Sequence, residues 1–230
     1  MCELPRSASK GNAGRPAASV HRDARSHLLN AAIELFAAQG IRATTSAMIA
    51  RRANLTPAMM HYYFKDREQL LDALVVERFS RFISCVWDSV QPDADAVQSI
   101  RGIVDGLLEG IEKMPWIPSI WLREILNEDG LLRERILRRL PYDKAQNVAR
   151  AIAAGQARKS LNAGLDPLLM LSSTIGLVML HAASVKVWAQ AFQREPLARQ
   201  AMQRHITSLL LDGLRHNETE KVAKSPKKNR

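Results

Sequence analysis

Cysteine is almost absent: Cys2 and Cys85 are the two in 230 residues. Two thiols build no disulfide framework, and their scarcity fits a reducing cytosol. Cys85 sits at helical spacing beside Phe82 and Trp87, so it reads as a packed residue rather than a redox sensor. The chain also lacks a Gly-rich phosphate loop, a nucleophile elbow and any metal-spaced cluster of His, Cys and acidic residues. Its six His are scattered singly. No catalytic residue, metal ligand or cofactor is therefore expected, and the chain does not read as an enzyme. No useful length alternates apolar and polar residues with period two, which leaves no strand to predict, whereas helical stripes recur throughout. Residues 1–20, rich in Ser, Ala, Gly and Pro, lack the apolar core of a signal peptide. They read as a disordered basic arm offering Arg6, Lys10 and Arg15.

What is present concentrates between Thr45 and Leu71, TSAMIARRANLTPAMMHYYFKDREQLL. Thr56 is a good N-cap, and Pro57 after it costs no hydrogen bond at the first helical position. Leu55 and Met60 are spaced for a hydrophobic staple. Asn54 falls where a left-handed turn residue is needed, which Asn tolerates better than most. Thr45 can cap a preceding helix with Met48, Ile49 and Ala53 facing inward. Phe64 closes the second helix, and Asp66 with Gln69 resembles a capping box opening a third. A turn of about three residues between the first two helices is helix-turn-helix spacing. The second helix presents His61, Tyr62, Tyr63, Lys65 and Arg67 as donors, and phosphate oxygens only accept. Ala58 and Met59 are small or apolar enough to approach base edges. Spacing alone leaves open a helical hairpin that merely packs a core.

Charge weighs against that alternative. The net charge is +10, yet residues 1–67 hold 10 basic and 4 acidic residues and the last ten hold five basic and none acidic. Residues 68–220 come to −1. The surplus thus lies at the helix-turn-helix end and the tail, as a polyanionic partner at one end requires.

Residues Arg22 to about Phe79 resemble the N-terminal DNA-binding domain of the TetR/AcrR family of transcriptional regulators. The matching elements are AAIELFAAQG, the pair TT, IARRA, LTPAMMHYYF and DREQLL. The resemblance implies DNA contacts from Thr45, Thr56, Pro57, Ala58, His61, Tyr62, Lys65 and Arg67. Of these, Thr45, Thr56, Tyr62, Lys65 and Arg67 would anchor phosphates, and Pro57, Ala58 and His61 would approach bases. Asn54, His61 and Arg67 depart from the family's usual Gly, Tyr and Lys. All three leave the head's fold intact and its sequence preference open.

The remaining pattern is helical. In the first helix Leu29, Ala32, Ile33 and Phe36 share a face, and Gly40 stops it. From Asp66 a long helix runs to about Ser89 with Leu70, Leu74, Phe82 and Val86 inward. Further helices are predicted over 93–113, 116–127, 130–139, 142–159, 167–192 and 196–216. The segment Leu168 to Phe192 is apolar almost all round. Its length could span a membrane, but Ser172, Ser173, Thr174, His181, Ser184 and Lys186 argue for burial against its own core and a partner copy.

The expected fold is therefore all-α. A disordered basic arm (1–20) precedes an N-terminal three-helix DNA-binding domain with a helix-turn-helix (21–66). A larger helical ligand-binding and dimerisation domain (67–217) and a disordered basic tail (218–230) follow. The resemblance implies a homodimer through helices near 167–192 and 196–216 on a double-stranded, pseudo-palindromic operator. It also implies a pocket in the middle helices for a small hydrophobic or aromatic effector, with Met114, Trp116, Ile120, Trp121, Ile125, Met179 and His181 as candidate lining. Those side chains fit plain core equally well. The function expected is a cytoplasmic, nucleoid-associated bacterial repressor released by its ligand. The alternative is a DNA-positioned protein-interaction factor of the same fold with no inducer.

Overall fold

The computed structural model describes residues 17–215, with side chains from Asp23 onward. The basic tail 218–230 and Arg6, Lys10 and Arg15 lie outside the described residues. Among the described residues the secondary structure is helical, with one isolated bridge between Leu161 and Arg215. Helix α1 (Ala17–Gln39) begins inside the stretch expected as an arm. It buries Leu29, Ala32, Ile33 and Phe36. Gly40 ends it at φ +86°, a left-handed conformation that a Cβ would strain.

Helices α2 (Ser46–Arg52) and α3 (Pro57–Tyr63) form the helix-turn-helix. Each boundary is held by a side chain. Thr45 Oγ1 accepts from Met48 N–H at 3.2 Å, and Thr56 Oγ1 from Met59 N–H at 3.3 Å. Asn54 makes the turn at φ 56°. Met60 and Phe64 are buried, and Leu55 packs against the core. Asp66 caps α4 (Arg67–Leu74) by accepting from Gln69 N–H at 2.8 Å. The expected capping box is shifted, because the Gln69 side chain returns to the N–H of Lys65 rather than Asp66.

The long helix is continuous in direction but not in register. Helix α4 passes through a π-helical turn (Val75–Phe79) into α5 (Ser80–Asp88). Its expected inward residues Leu70, Leu74, Phe82 and Val86 are all buried. Helix α6 (Ala96–Lys113) opens on a full capping box from Asp95 and Gln98. It lies against α5 along a glycine stripe. A Cβ on Gly102 would sit 2.4 Å from Ser89 O, on Gly106 2.7 Å from Val86 Cα, and on Gly110 2.7 Å from the Phe82 ring. Only hydrogen fits there, so these glycines set the distance between the two helices.

The run predicted as one helix over 116–127 is α7 (Ile117–Ile120) followed by a second π turn (Trp121–Ile125). A short α8 (Arg133–Leu137) and α9 (Tyr142–Ala157) come next. Helix α10 (Pro167–Ala191) is capped by Asp166, whose carboxylate accepts from Leu168 and Leu169 N–H at 2.9 Å each. It packs on α6 and α9, and α11 (Arg199–Leu214) packs on α6.

Candidate nucleic-acid interface and effector cavity

Burial sorts the head into two sides. Thr45, Thr56, Pro57, Ala58, His61, Tyr62 and Lys65 are all exposed along α3 and its flanks, with Tyr62 at 70%. The opposite side of α3, which packs on α2, buries Met60 in the core. The two capping threonines also place the free N–H ends of α2 and α3 toward the same surface, where an anion is favoured by the helix dipole. Arg51, which the sequence reading did not single out, is exposed on α2.

Arg67 behaves differently from the expectation of a phosphate anchor. It is half-buried, and its guanidinium turns inward to donate to Thr44 O at 2.8 Å and to Ile41 O. Thr44 is fully buried and donates in turn to Gly40 O at 2.8 Å, while Gln39 Nε2 reaches Thr44 Oγ1 at 3.1 Å. These bonds brace the loop ahead of α2 against the start of α4. Arg67 adds to bonds the loop already makes, Thr44 N–H to Ile41 O at 3.1 Å and Gln39 Nε2 to Ala43 O at 3.2 Å, and so ties that loop to the start of α4.

The head is joined to the larger domain on two sides. Arg25 pairs with Glu77, and Arg78 donates to Ser26 Oγ at 2.8 Å and Asn30 Oδ1 at 3.2 Å, all between α1 and the π turn. Burial, followed by the neighbouring Arg81 cation, holds the Arg78 guanidinium below the usual arginine range. On the other side Arg135 of α8 pairs with Glu68 and, at 2.7 Å, with Asp72 of α4. Arg42 also donates to Asp129 O at 3.1 Å.

An apolar cavity of about 310 Å³ lies between the long helix, α6, the second π turn and α10. It falls at the small end of the range for ligand sites. Of the seven residues expected to line a pocket, Trp121, Ile125 and Met179 do so. The other four do not. Ile120 is fully buried in packing, and Met114 and Trp116 face a groove on the far side of α5. His181 lies by the end of α10, its ring 5.8 Å from that of His205. The reason is the register shift of the π turns: Phe79 ends the first and Trp121 and Ile125 bound the second, and all three point into the cavity. Phe82, Ile103, Leu107 and Ile175, missed from the sequence, complete the wall. Tyr142 lines it too, with its hydroxyl already donated to Leu137 O. The lining holds no charged side chain.

Cys85 is half-buried, and burial, then the Glu109 carboxylate, pushes its thiol above the ordinary range. That is the opposite of an activated thiolate.

Helix α10 is less enclosed than its composition suggests. Its inner face buries Met170, Leu171, Thr174, Val178 and Met179, while Leu169, Leu180 and Val187 are more than half exposed. Gly176 on the same outer side faces open space, as do Gly213 and the exposed Leu209 of α11. The helix is long and apolar enough to cross a membrane by length and composition. Its polar Ser172, Ser173 and Ser184 lie among the outward residues, and these suit a protein surface better than hydrocarbon.

A capped helix-turn-helix with a hydroxyl- and donor-rich outer face, carried on a larger all-α domain, defines a DNA-binding transcriptional regulator and not an enzyme. Residues 28–74 match the family model of bacterial regulatory proteins, tetR family. The fatty acid metabolism regulator protein of Bacillus subtilis is 24% identical over 194 residues, covering 83% of this chain and 95% of that one. The regulator LuxR of Vibrio harveyi is 34% identical over 101 residues, 42% of this chain and 47% of that one. The solved ketosteroid transcriptional regulator KstR2 of Mycobacterium tuberculosis shares the fold with TM-score 0.66 at 19% identity, over 84% and 95% of the two chains. The regulator FadR of Bacillus subtilis, solved with stearoyl-CoA, aligns with TM-score 0.61 at 19% identity, over 82% and 98%. Over residues 28–74, then, the chain carries the DNA-binding domain that marks the tetR family of bacterial regulatory proteins.

Proposed function

We propose that the protein is a cytoplasmic, nucleoid-associated homodimeric repressor that holds a pseudo-palindromic operator and lets go when an apolar ligand fills the cavity. The observation that carries this is the uncharged cavity wedged behind the long helix that continues from the DNA-reading head. Thr45, Thr56, Tyr62 and Lys65 anchor phosphates, Pro57, Ala58 and His61 meet base edges, and Arg67 holds the α1–α2 loop in place for them. The exposed outer faces of α10 and α11 pair with the same faces of a second copy. Such a patch exceeds what a monomer leaves bare, and two half-sites on one side of a duplex need two heads.

Ligand release follows from differential affinity. A ligand that fits the cavity better when the long helix is displaced shifts the pair of heads out of step with successive major grooves. The relative solved with stearoyl-CoA makes long apolar acyl compounds the first class to try.

The test is fluorescence polarisation on an operator selected from a random pool, with and without apolar ligands. Wild type releases the operator as ligand is added. Ile175→Trp, which fills the cavity, keeps the operator and ignores the ligand. Binding that no apolar compound weakens would sink the ligand-released reading and favour a DNA-positioned protein-interaction factor.

A further inference from the structure

Behind α5, on the side away from the cavity, runs a groove of about 1000 Å³ between α1, α5 and α6. It holds the Arg78 and Arg81 guanidiniums together with Ser84, and Asn30 and Glu34 of the head form its other wall. Its acids are occupied: Glu34 pairs with Arg52, Glu109 with Lys113, and Asp88 faces Lys144 at 3.9 Å. The two arginines are not matched in the same way. Arg78 donates to neutral oxygens of Ser26 and Asn30. Exposed Arg81 makes no hydrogen bond or ion pair with the described residues. Neither arginine makes an ion pair with a described carboxylate, although Glu77 lies near Arg78, and each cation disfavours the other, a repulsion that an anion between them would relieve.

One aromatic pair links groove and cavity. Phe79 lines the cavity, Trp116 lines the groove, and their rings meet edge to face with centroids 5.0 Å apart. Trp116 is only half-buried, which leaves its side chain room to move on the groove side of the pair. The π turn puts both ends of this route on consecutive residues: Arg78 faces the groove and Phe79 the cavity. Interruptions of this kind in a helix are frequent at functional sites.

We propose that the groove is the anion-binding end of the effector site, so that the effector is an amphiphile with its apolar chain in the cavity and a carboxylate or phosphate between Arg78 and Arg81. This rests on the reading of the cavity as the effector site. It also supplies the release step. An anion competes for the Arg78 N–H groups with Ser26 and Asn30, and charge-assisted hydrogen bonds are roughly twice as strong as neutral ones. The head thereby loses one of its two ties to the long helix at the moment the ligand seats.

Isothermal titration of the full chain with decanoate, decyl phosphate and decanol, each below its micelle concentration, tests this. Both anions should bind about tenfold more tightly than decanol, as a hydrogen bond to a charged group implies. The tighter of the two identifies carboxylate or phosphate as the head. Arg81→Ala should shrink the gap between anions and decanol to under about threefold, and Arg81→Lys should restore most of it. Decanol binding as well as the anions would overturn the head-group assignment while leaving the cavity reading standing. An anion preference unchanged in Arg81→Ala would overturn it too. Failure of all three to bind would remove the cavity reading itself, and this inference with it.

Discussion

The head and the larger domain are built from the same secondary structure by different means. In the head, α2, α3 and α4 are short, and each starts on a side chain that accepts a backbone N–H: Thr45, Thr56 and Asp66. Helices of this length are marginal alone, so local capping and a small shared core must define them sharply. In the larger domain α6, α9, α10 and α11 are longer, and α8, α9 and α11 begin without a side-chain cap. Packing distance organises them instead: glycines along α6 let α5 approach, and two π turns rotate aromatic side chains into a cavity. The lesson is that the head is specified residue by residue, whereas the larger domain is specified by how its helices are spaced. Rigid capping suits a surface that must match a fixed duplex, and π turns suit a region that has to yield.

Three experiments sharpen that contrast, in decreasing order of effect. The first is Leu180→Asp on the outer face of α10. A two-fold interface places the change twice, and two buried unpaired carboxylates should cost several kcal/mol. The dimer should be lost at micromolar concentration in light scattering and operator affinity should fall with it, while each head keeps its fold. A dimer that survives would mean that this face is not the interface.

The second is Gly106→Val on α6, where even a Cβ would sit 2.7 Å from Val86 Cα. Overpacking of this kind costs about 1–3 kcal/mol. At this chain length that lowers the melting temperature by roughly 2–4 °C per kcal/mol. The same change at Gly176, which faces open space in the single chain, should leave the stability of the subunit's own core untouched. Equal losses at both sites would refute the idea that the α6 stripe sets helix spacing.

The third compares Lys65→Ala with Arg67→Ala. Lys65 is exposed beside α3, and its loss should flatten the dependence of operator affinity on salt by about one unit of slope. Arg67 is held by the carbonyls of Ile41 and Thr44, so its loss should lower thermal stability and weaken binding with little change of slope. Should Arg67→Ala flatten the slope as Lys65→Ala does, Arg67 is a phosphate contact after all.

Much of the head was legible. Thr-Pro, Asp-x-x-Gln and Asn54 each have a local physical meaning that survives any packing, and the inward set of α1 and the long helix followed from periodicity. The inward bonds of Arg67 were not legible, because a basic residue next to a recognition helix looks the same in sequence whether it faces phosphate or a loop carbonyl. The cavity was half legible. Trp121, Ile125 and Met179 followed from the concentration of large apolar residues, but Met114, Trp116, Ile120 and His181 were assigned to the wrong wall. A π turn adds one residue to the repeat and rotates everything after it by about a third of a turn. Nothing in the sequence VVERF or WLREI announces that rotation.

Composition, periodicity and capping chemistry alone determined that this chain is all-α, that it carries a helix-turn-helix with its donors outward, and that its basic surplus sits with that motif. Those properties depend on residues within a few positions of one another. Only the tertiary structure decided which aromatic side chains enclose the cavity, that Arg67 points inward, and that Arg78 and Phe79 open onto opposite sides of one helix. These depend on helix spacing and rotation, which arise from contacts between residues tens of positions apart, such as Gly106 with Val86 and Arg78 with Ser26.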